Sequence, residues 1–549
     1  MDRTLKMSAR DTSREPREVE VLIVGAGPTG LAAANLLGEA GIRTLLIEQA
    51  SGLSAIPKAL MVDDEFFRLL HKLGLGERLA EHGVHPVGYD YYSPLGPRVG
   101  RIAGRITEHG FPSRTATFQP EFEAILMDGV RRFPSVEVRF GGALQSFDDD
   151  GIGVRALVRT PGGATSRVRA DYLIAADGSH SLCRKALGIA FDELAPVEVR
   201  HVVVDVAGDP NRSKTADLRL SWRRNANSLP APGGRRRYEF SLRAGEDADE
   251  ALSEAALDGF FQQFFGVPCP RNVIRKTVYA FHSRLAQRMS KGRVFLAGDA
   301  AHIMPVIGSQ GMNSGARDVN NLAWKLALVL RAGADPSILA SYDTERRPQV
   351  ASTIRAVTAA MNLQKARSIP ATIVRDVAAM ALTRIPPVAR YVRDMRYIPK
   401  PFLDQGLVAP HTRTGEASLV GRLLPLPGAR SGSAVVPLDD LLGSGFAILG
   451  VEPANPPLGV RDPLWHAVNA RVAAVRRGRV EAGKERGVPT VEIVDDRFDE
   501  VFAAHRGQWL IVRPDRIVAA AVDAGSFQEV TRFFARLFGL SRSLPQAAE

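Results

Sequence analysis

Three glycines near the start of the chain, Gly25, Gly27 and Gly30, have the spacing of a loop that binds a dinucleotide. The loop follows an apolar, β-branched run, VEVLIV (19–24), and opens a segment with helical spacing, LAAANLLGEAG. Gly25 allows a tight turn, Gly27 lets the backbone approach a pyrophosphate, and Gly30 permits close packing of helix on strand. The N–H groups of a helix N-terminus attract phosphate. The spacing predicts a dinucleotide site but does not distinguish FAD from NAD(P).

A carboxylate follows at the place where such a site needs one. Residues 44–47 (TLLI) predict a second strand, and this strand ends at Glu48, which can accept hydrogen bonds from the two hydroxyls of a ribose. Strand, glycine loop, helix and second strand form a βαβ unit. The chain contains no second glycine fingerprint, so only one nucleotide has a dedicated site of this kind.

Two later segments end in turns that contain aspartate and glycine. Residues 172–175 (YLIA) run into Asp177 and Gly178, and residues 294–297 (VFLA) run into Gly298–Asp299. Both runs are short and apolar and stop abruptly, as strands do before a loop. The second is followed by a predicted buried helix, residues 320–330 (NNLAWKLALVL). We expect these two strand ends to lie near the dinucleotide loop.

Length and charge limit the function classes. The chain has 549 residues, 45% of them apolar, which is too long for one core and predicts several domains. Charged residues make up 24%, which excludes wholesale disorder. The net charge is +11, but the basic residues are spread along the chain, so we expect an anionic small molecule and no nucleic acid as partner.

Cysteine content and apolar runs indicate the compartment. Cys183 and Cys269 form neither a disulfide framework nor a zinc-binding spacing, so we expect a reducing, cytoplasmic setting and no metal. No apolar run reaches the length of about 18 residues that a membrane span needs. Residues 1–18 mix both charges without an apolar core and predict a disordered tail, not a signal peptide.

The pattern of apolar, polar, proline and glycine residues changes several times along the chain, which predicts several structural domains. Residues 196–245 alternate like an antiparallel sheet, residues 350–398 are predicted helical with breaks at prolines, and residues 400–437, rich in Pro, Gly and Ser, are predicted to be a linker. We expect the following boundaries: a tail over 1–18; a discontinuous nucleotide-binding domain over 19–90, 112–190 and 282–360; an inserted substrate domain over 91–111 and 191–281; a helical segment and linker over 361–410; and a small α/β domain over 411–549.

These motifs carry a family resemblance. ADGSHSLCRKALG and GRVFLAGDAAHIMPVIGSQGMNSGARDVNNLAWKL resemble two signature segments of the single-component FAD-dependent aromatic hydroxylases, and the resemblance spans essentially the whole ordered chain. It implies an α/β fold: a Rossmann-like FAD-binding domain of the para-hydroxybenzoate hydroxylase type, an inserted antiparallel β-sheet substrate domain, and a C-terminal thioredoxin-like domain. That last domain contains neither cysteine, so we expect it to stabilise the protein or to form a homodimer.

The resemblance also implies an activity. Members of the family are monooxygenases that hydroxylate a phenolic ring through a flavin C4a-hydroperoxide, with tightly bound FAD, NADH or NADPH as transient reductant, and O2. PKALMVDDE, ATFQPEFE, RLAQR, AGDAAHIMPV and YDTERRP resemble most the branch that acts on 3-(3-hydroxyphenyl)propionate. This substrate or a close relative is therefore expected. The alternatives are another phenol, of resorcinol or polycyclic polyketide type, and a non-catalytic, flavin-bound redox sensor.

Residues that contact FAD are implied one by one by the family motifs. Asp177 and Gly178 match a turn that touches FAD and the incoming nicotinamide, Arg184 can reach a phosphate, and Asp299 matches the aspartate that holds the ribityl chain. The full set implied for the cofactor is Gly25, Gly27, Gly30, Glu48, Lys58, Gln119, Asp177, Gly178, Arg184, Gly298, Asp299, Gln310, Gly311, Met312 and Asn313. For Arg184 a solvated helix residue is the alternative.

Candidate catalytic groups cluster around residues 302–314. Backbone N–H groups of Gly311 and Met312, at a helix N-terminus, can stabilise negative charge on the reduced flavin. Pro305, with its apolar neighbours Met304 and Val306, can keep water away. His302 is a candidate proton carrier, although a structural histidine is the alternative. His201 and Tyr238, on strands of the inserted sheet, are candidate substrate contacts, with sheet packing as the alternative.

Two positions depart from the family pattern. Lys58 stands where an arginine is common, and lysine lacks the fork that holds an anion with two bonds. Ser309 stands where glycine is common, which would strain the backbone if that position needs a positive φ. Glu345, Arg346 and Arg347 are predicted to form a structural ion-pair cluster.

Overall fold

The computed structural model describes residues 17–305, 307–364, 368–413, 415–431, 433–478, 484–485, 488–495 and 498–540. The predicted tail falls mostly outside these ranges. Arg17 and Glu18, however, lie in the first strand, paired with Val168 and Arg169, so the prediction of a tail is wrong for these two residues. The strand begins two residues before the predicted run VEVLIV, because the neighbouring strand, Thr165–Ala175, is longer and offers backbone partners there.

The strands of the described residues are, in chain order, β1 (Arg17–Val24), β2 (Thr44–Glu48), β3 (Met61–Asp63), β4 (Gly88–Tyr92), β5 (Arg98–Ile102), β6 (Arg114–Ala116), β7 (Val136–Phe140), β8 (Ala143–Asp149), β9 (Val154–Arg159), β10 (Thr165–Ala175), β11 (Phe191–Val206), β12 (Thr215–Arg219), β13 (Ala226–Ala231), β14 (Arg235–Ser241), β15 (Val273–Ala286), β16 (Ser290–Lys291), β17 (Val294–Leu296), β18 (His302–Ile303), β19 (Gly428–Ser431), β20 (Ala434–Pro437), β21 (Ala447–Val451), β22 (Arg471–Arg477), β23 (Lys484–Glu485), β24 (Val488–Ile493), β25 (Trp509–Val512) and β26 (Val518–Val522).

The α-helices of the same ranges are α1 (Pro28–Glu39), α2 (Asp64–Lys72), α3 (Gly76–His82), α4 (Gln119–Val130), α5 (Leu182–Ala186), α6 (Ala248–Ala251), α7 (Glu254–Phe265), α8 (Gln310–Ala332), α9 (Ser341–Gln364), α10 (Ile369–Leu382), α11 (Pro386–Arg393), α12 (Leu438–Leu442), α13 (Pro463–Ala467), α14 (Phe498–Phe502) and α15 (Phe527–Leu537). Pro370 and Pro386 lie in the first turns of α10 and α11, where a missing N–H costs nothing, so they begin helices as much as they interrupt them. None of the described helices is long and apolar enough to cross a membrane.

The first sheet brings the predicted strand ends together. Its order is β16-β17-β10-β1-β2-β7, and β17, β10, β1, β2 and β7 run parallel. Val24 lies beside Ala175, and Ala175 lies beside Leu296. The loops that follow these residues therefore leave the sheet at one edge, which is where open parallel sheets bind ligands. This arrangement confirms that the glycine loop and the two Asp/Gly turns are neighbours.

The second sheet covers the open side of the first domain. Its order is β18-β15-β11-β14-β13-β12-β4-β5, antiparallel throughout except for the parallel pair β12 and β4. One face packs on α7 through a cluster that includes Val202, Val204, Phe240 and Phe261. The opposite face lies toward the first domain, because Arg237 of β14 donates to the carbonyl oxygens of Pro57 and Lys58.

The third sheet has the thioredoxin arrangement. β21 and β22 are parallel and connected through α13, β25 lies antiparallel on the other side of β21, and β26 follows β25 before α15 ends the described chain. The prediction of a linker over 400–437 is wrong. Leu407, Val420 and Leu424 are at most 2% exposed in the main core, and Gly428–Ser431 and Ala434–Pro437 form two strands of this sheet. The described part of this segment is therefore packed into the fold and connects the third unit to the first.

Candidate active site

The glycine loop shows which of its three glycines the protein itself requires. Gly25 has a φ of +104°, and a Cβ there would lie 2.3 Å from the carbonyl oxygen of Ala176. A Cβ at Gly30 would lie 1.9 Å from the carbonyl oxygen of Gly25. A Cβ at Gly27 would meet no protein atom within 4 Å, and its φ of −72° suits any residue. Gly27 therefore leaves an open cradle at the N-terminus of α1, where a phosphate would sit.

Glu48 is held in place by the loop it faces. Its Oε2 accepts a hydrogen bond from the backbone N–H of Ala26 at 2.9 Å, and its Oε1 accepts one from Ala50 at 2.8 Å. Each carboxylate oxygen can accept a second bond. The side chain is thus oriented at the end of β2 with acceptor capacity left for the hydroxyls of a ribose.

The turn after β10 contains an unsatisfied acceptor. Asp177 Oδ2 accepts from the backbone N–H of Cys183 at 3.0 Å, whereas Oδ1 is buried without a hydrogen-bond partner among the described residues. Gly178, next in the chain, has a φ of +78° and open space around its Cα. Because a buried acceptor is costly when unpaired, Oδ1 indicates a donor from a bound group.

Arg184 is not a solvated helix residue. It is 6% exposed, its guanidinium lies 3.8 Å from the centre of the Phe191 ring, and Nη1 donates to the carbonyl oxygen of Ala300 at 3.3 Å. Burial lowers the pKa of Arg184 from its ordinary value. The contact to Ala300 joins the turn after β10 to the turn after β17, so Arg184 braces the two loops against each other.

Asp299 lies in the turn after β17, and no described side chain holds its carboxyl group. Its side chain is exposed and forms no hydrogen bond with any described residue, yet protein surrounds it closely enough that burial raises its pKa above the ordinary value, against the charges of His302 and Lys58. Gly298 before it has a φ of +59°, and a Cβ there would lie 2.7 Å from Oγ1 of Thr29. The tight packing on α1 fixes the backbone and leaves the Asp299 carboxyl free for a ligand.

Gln119 has a different set of contacts from those implied. Its Oε1 accepts from the backbone N–H groups of Lys58 at 3.1 Å and Ala59 at 2.6 Å, and its Nε2 donates to Glu123 at 2.7 Å. The side chain therefore clamps the loop before β3 to the start of α4. The Lys58 side chain is exposed and forms no ion pair within the described ranges.

The N-terminus of α8 begins with two residues of positive φ. Gly308 has a φ of +73° and Ser309, the N-cap residue, has a φ of +53° without a side-chain capping bond. Asn313 fixes the first turn, because its Nδ2 donates to the carbonyl oxygens of Ser309 and Met61 and its Oδ1 accepts from Asp63. The early N–H groups of the helix, including those of Gly311 and Met312, have no partner one turn earlier and point out of its end.

We expect Ser309→Gly to stabilise the protein by about 0.5–1 kcal/mol, because glycine relieves the left-handed strain at a smaller entropic cost. Chemical denaturation of the FAD-loaded protein measures the change. Ser309→Ala, which keeps the Cβ, is the control and should give no gain. A glycine variant that unfolds earlier than the wild type would contradict the assignment of strain to this residue.

His302 lies behind the site. It is fully buried, its Nε2 is 2.7 Å from Oδ2 of Asp318, and Asp318 also accepts from Gly298 N–H and from Arg346. This geometry suits a residue that positions the turn after β17, which is the alternative weighed above. Met304 and Pro305 are buried as expected of a dry wall, and Val306 lies outside the described residues.

The two candidate substrate residues lie on opposite faces of the second sheet. His201 shares the face of Arg237 that points to the first domain, and its ring lies 5.5 Å from that of Phe281. Tyr238 faces α7, its hydroxyl donates to Asp209 at 2.8 Å, and its ring packs 4.7 Å from that of Phe261. The expectation that Tyr238 contacts substrate is corrected by this placement, since the ring is packed on the far side of the sheet.

Sequence reasoning missed a group of polar and aromatic residues near the N-terminus of α8. Arg114 is 5% exposed and donates to the carbonyl oxygen of Gly308 at 3.3 Å. Tyr89, Tyr91 and Tyr397 are half-buried, and burial raises the pKa of all three phenols. The alternation in GYDYY places Tyr89 and Tyr91 on one face of a strand, and this spacing is the signal that could have indicated that the two side chains lie together.

Two family models match the chain. One, described as "FAD binding domain", matches residues 18–357, and one described as "HcaD C-terminal domain" matches residues 421–537. The first covers both the parallel sheet and the sheet that faces it. The second covers most of the thioredoxin-like unit.

Curated relatives are similar over nearly the whole length. A protein of Comamonas testosteroni named "3-(3-hydroxy-phenyl)propionate/3-hydroxycinnamic acid hydroxylase" is 34% identical over 573 residues, covering 95% of this chain and 97% of its own. A protein of the same name from Mycolicibacterium smegmatis is 35% identical over 533 residues, covering 96% and 94%.

Solved structures share the fold. The flavin-dependent monooxygenase PieE, crystallised with FAD and substrate, superposes with a TM-score of 0.80 at 23% identity, covering 95% of this chain and 99% of its own. Aklavinone-11 hydroxylase, crystallised with FAD and aklavinone, gives a TM-score of 0.76 at 22% identity, covering 96% and 100%. All three sheets are therefore part of one shared architecture.

Proposed function

The chain belongs to the single-component FAD-dependent aromatic hydroxylases, and we propose that its substrate is 3-(3-hydroxyphenyl)propionate or a closely related phenolic acid. As a member of this family it is a monooxygenase that uses NAD(P)H and O2 to add one oxygen atom to an aromatic ring. The observation that carries the substrate proposal is the similarity to enzymes named for this acid at 34% and 35% identity over 95% and 96% of the chain.

The residues present fit FAD. The open cradle at Gly27 leaves room for a pyrophosphate, and the buried Oδ1 of Asp177 needs a donor from outside the protein. We assign Glu48 to the adenosine ribose, Gly25, Gly27 and Gly30 to the pyrophosphate loop, and Asp299 to the ribityl chain. FAD bound there would supply the redox chemistry that activates oxygen for transfer to the ring.

The other residues prepare the site for that chemistry. Backbone N–H groups at Gly311 and Met312 stabilise negative charge at the end of α8, and no acidic side chain in the first turn opposes them. Met304 and Pro305 exclude water beside this helix end. His302 and Asp318 hold the turn that carries Asp299, so they act on the site by positioning. His201 stays a candidate substrate contact.

The purified yellow protein tests the proposal directly. We expect 3-(3-hydroxyphenyl)propionate to accelerate oxidation of NADH or NADPH and to gain one oxygen atom, as measured by absorbance and by mass spectrometry. Phenylpropionate, which lacks the ring hydroxyl, is the control and should gain none, because the phenol activates the ring. If only larger phenols were hydroxylated, the substrate proposal would fail; if none were, a flavin-bound sensor would be favoured.

We further propose a cytoplasmic homodimer that does not bind nucleic acid. Much of the positive charge is committed inside the fold, as in the buried pairs of Arg237 with Asp205 and of Arg68 with Asp439. The two free cysteines and the use of NAD(P)H support a reducing compartment. Exposed Val374 and Val377 on α10 support a contact with a second copy.

A further inference from the structure

Arg114 is a buried cation with no carboxylate of the described residues at ion-pair distance. Its Nη1 donates to the carbonyl oxygen of Ser113 at 2.6 Å and its Nη2 to that of Gly308 at 3.3 Å, while Nε is buried with no hydrogen-bond partner. It forms no ion pair with any residue that the structure describes. The acids whose titration it influences are committed elsewhere, Asp63 to Arg317 and Asp64 to His109. A buried charge of this kind is costly until an anion reaches it.

The groups around Arg114 are aromatic. Its charge acts on the phenols of Tyr89 and Tyr397, and the Tyr89 hydroxyl also interacts with Arg114 through a hydrogen bond. The Tyr397 hydroxyl interacts in turn with that of Tyr91. Ile398 lies beside Gly308, because its Cδ1 is 3.1 Å from the position that a Cβ would take there. Three half-buried tyrosines therefore lie close to one guanidinium and to the N-terminus of α8.

We propose that Arg114 binds the carboxylate of the phenolic acid and thereby determines specificity for acids over neutral phenols, with Tyr89, Tyr91 and Tyr397 around the rest of the molecule. This inference rests on the proposed function. Guanidinium carries five N–H donors, and the bonds to the two carbonyl oxygens and to the Tyr89 hydroxyl leave Nε–H without a partner. The free Nε–H, with an adjacent N–H, can hold a carboxylate through two parallel bonds.

Glu239 is an acid of the second sheet that shares the face of Arg237, toward the first domain. It acts on the titration of Tyr89 and accepts a hydrogen bond from Asn227 at 3.2 Å, and its Oε2 is 4.0 Å from Nδ1 of His201. A substrate carboxylate beside Glu239 would be repelled, whereas one beside Arg114 would be attracted. The charges of Arg114 and Glu239 therefore orient the substrate, with its carboxylate toward Arg114 on β6 and away from Glu239.

The test compares two ligands on three proteins. 3-(3-Hydroxyphenyl)propionate and 3-propylphenol, which has a methyl group in place of the carboxylate, are titrated into the oxidised holoenzyme of the wild type, Arg114→Met and Arg114→Lys. Perturbation of the bound flavin absorbance reports the Kd without turnover. We expect Arg114→Met to raise the Kd for the acid by roughly 30-fold or more and that for 3-propylphenol by less than about 3-fold. Arg114→Lys should fall between, and kcat at saturation should change little beside KM.

Each other outcome is decisive. An equal rise in the Kd of both ligands would show that Arg114 shapes the site without binding the carboxylate, and this would overturn the proposal. A variant that loses FAD, or whose flavin spectrum changes before any ligand is added, would assign Arg114 to the flavin and would overturn it as well. A wild type that binds 3-propylphenol and no acid would overturn the proposed function as well. If Arg114→Met fails to fold, Arg114→Lys carries the comparison. Arg101→Met, an exposed arginine of β5 paired with Asp90, is the matched control and should leave both Kd values unchanged.

Discussion

A Gly27→Val variant is expected to purify as a folded protein without flavin. The position has an extended conformation that valine adopts readily, and a side chain there meets no protein atom within 4 Å of its Cβ. The same side chain would occupy the cradle at the N-terminus of α1 and keep the pyrophosphate from its N–H groups. We expect the affinity for FAD to fall by at least about 100-fold, equal to about 2.7 kcal/mol.

Two other glycines separate this effect from general damage. Gly162 also has open space around its Cβ position and no positive φ, but it lies in the turn between β9 and β10, so Gly162→Val should keep its flavin. Gly30→Ala places a Cβ 1.9 Å from a carbonyl oxygen and should lose both fold and flavin. Circular dichroism reports folding, and the flavin absorbance of the purified protein reports FAD. A yellow Gly27→Val protein with full FAD content would refute the position assigned to the pyrophosphate.

The nucleotide loop could be predicted because its geometry is local. Strand, glycine spacing and helix are adjacent in the chain, and the turns at Asp177 and Asp299 follow from the rule that parallel strands end at one edge. Even the strain at Ser309 was predictable once a positive φ was suspected there. These features need no knowledge of which distant residues pack together.

Residues 400–437 show where composition misleads. Proline and glycine are frequent there, yet Leu403, Leu407 and Leu424 are buried against the first domain and the third sheet. Burial of such a segment depends on partners far away in the chain, such as Glu345, which accepts from the backbone N–H of Leu407. The widely spaced leucines were the sequence feature that indicated burial, but they do not stand out in a segment classified by its proline and glycine content.

The local sequence also does not show which face of a strand packs against the first domain. Arg237 and Tyr238 are neighbours in β14, so they point to opposite sides of the sheet. The sequence shows that alternation without showing which side meets the first domain, and a shift of one residue exchanges the two sets. Arg114 was missed for a similar reason: its short strand, β6, has meaning only through its pairing with β3.

Glu345→Gln is expected to destabilise the protein by about 3–5 kcal/mol, since it removes one of the two carboxylates, the other being that of Asp515, that balance the buried cations Lys325 and Arg513. Glu345 lies 2.9 Å from both Lys325 of α8 and Arg513, which follows β25, and all three side chains are fully buried. Glutamine has the same shape, so the loss reports charge and not a cavity. Burial already lowers the pKa of Lys325 to about 8, and loss of its partner would lower it further.

The pH dependence provides an internal check of this ion cluster. Burial would raise the pKa of Glu345, but Arg513 and Lys325 outweigh it and hold the pKa well below its ordinary value. The stabilisation is therefore complete above the unfolded pKa of about 4.3 and is lost as the pH falls below it. Urea unfolding should show a large gap between wild type and Glu345→Gln at pH 7 that narrows in acid.

An exposed carboxylate gives the matched comparison. Asp128 pairs with Arg78 and Arg131 at the surface, where its side chain is 39% exposed, so Asp128→Asn should cost less than about 1 kcal/mol. If the two variants lost equal stability, the cluster around Glu345 would not be what fastens the thioredoxin-like unit to α8 and α9. A large loss at Glu345 alone would instead give that unit, which lacks redox cysteines, a structural role. Its Arg513 would then complete the charge balance next to α8, the helix whose N-terminus we assign to the active site.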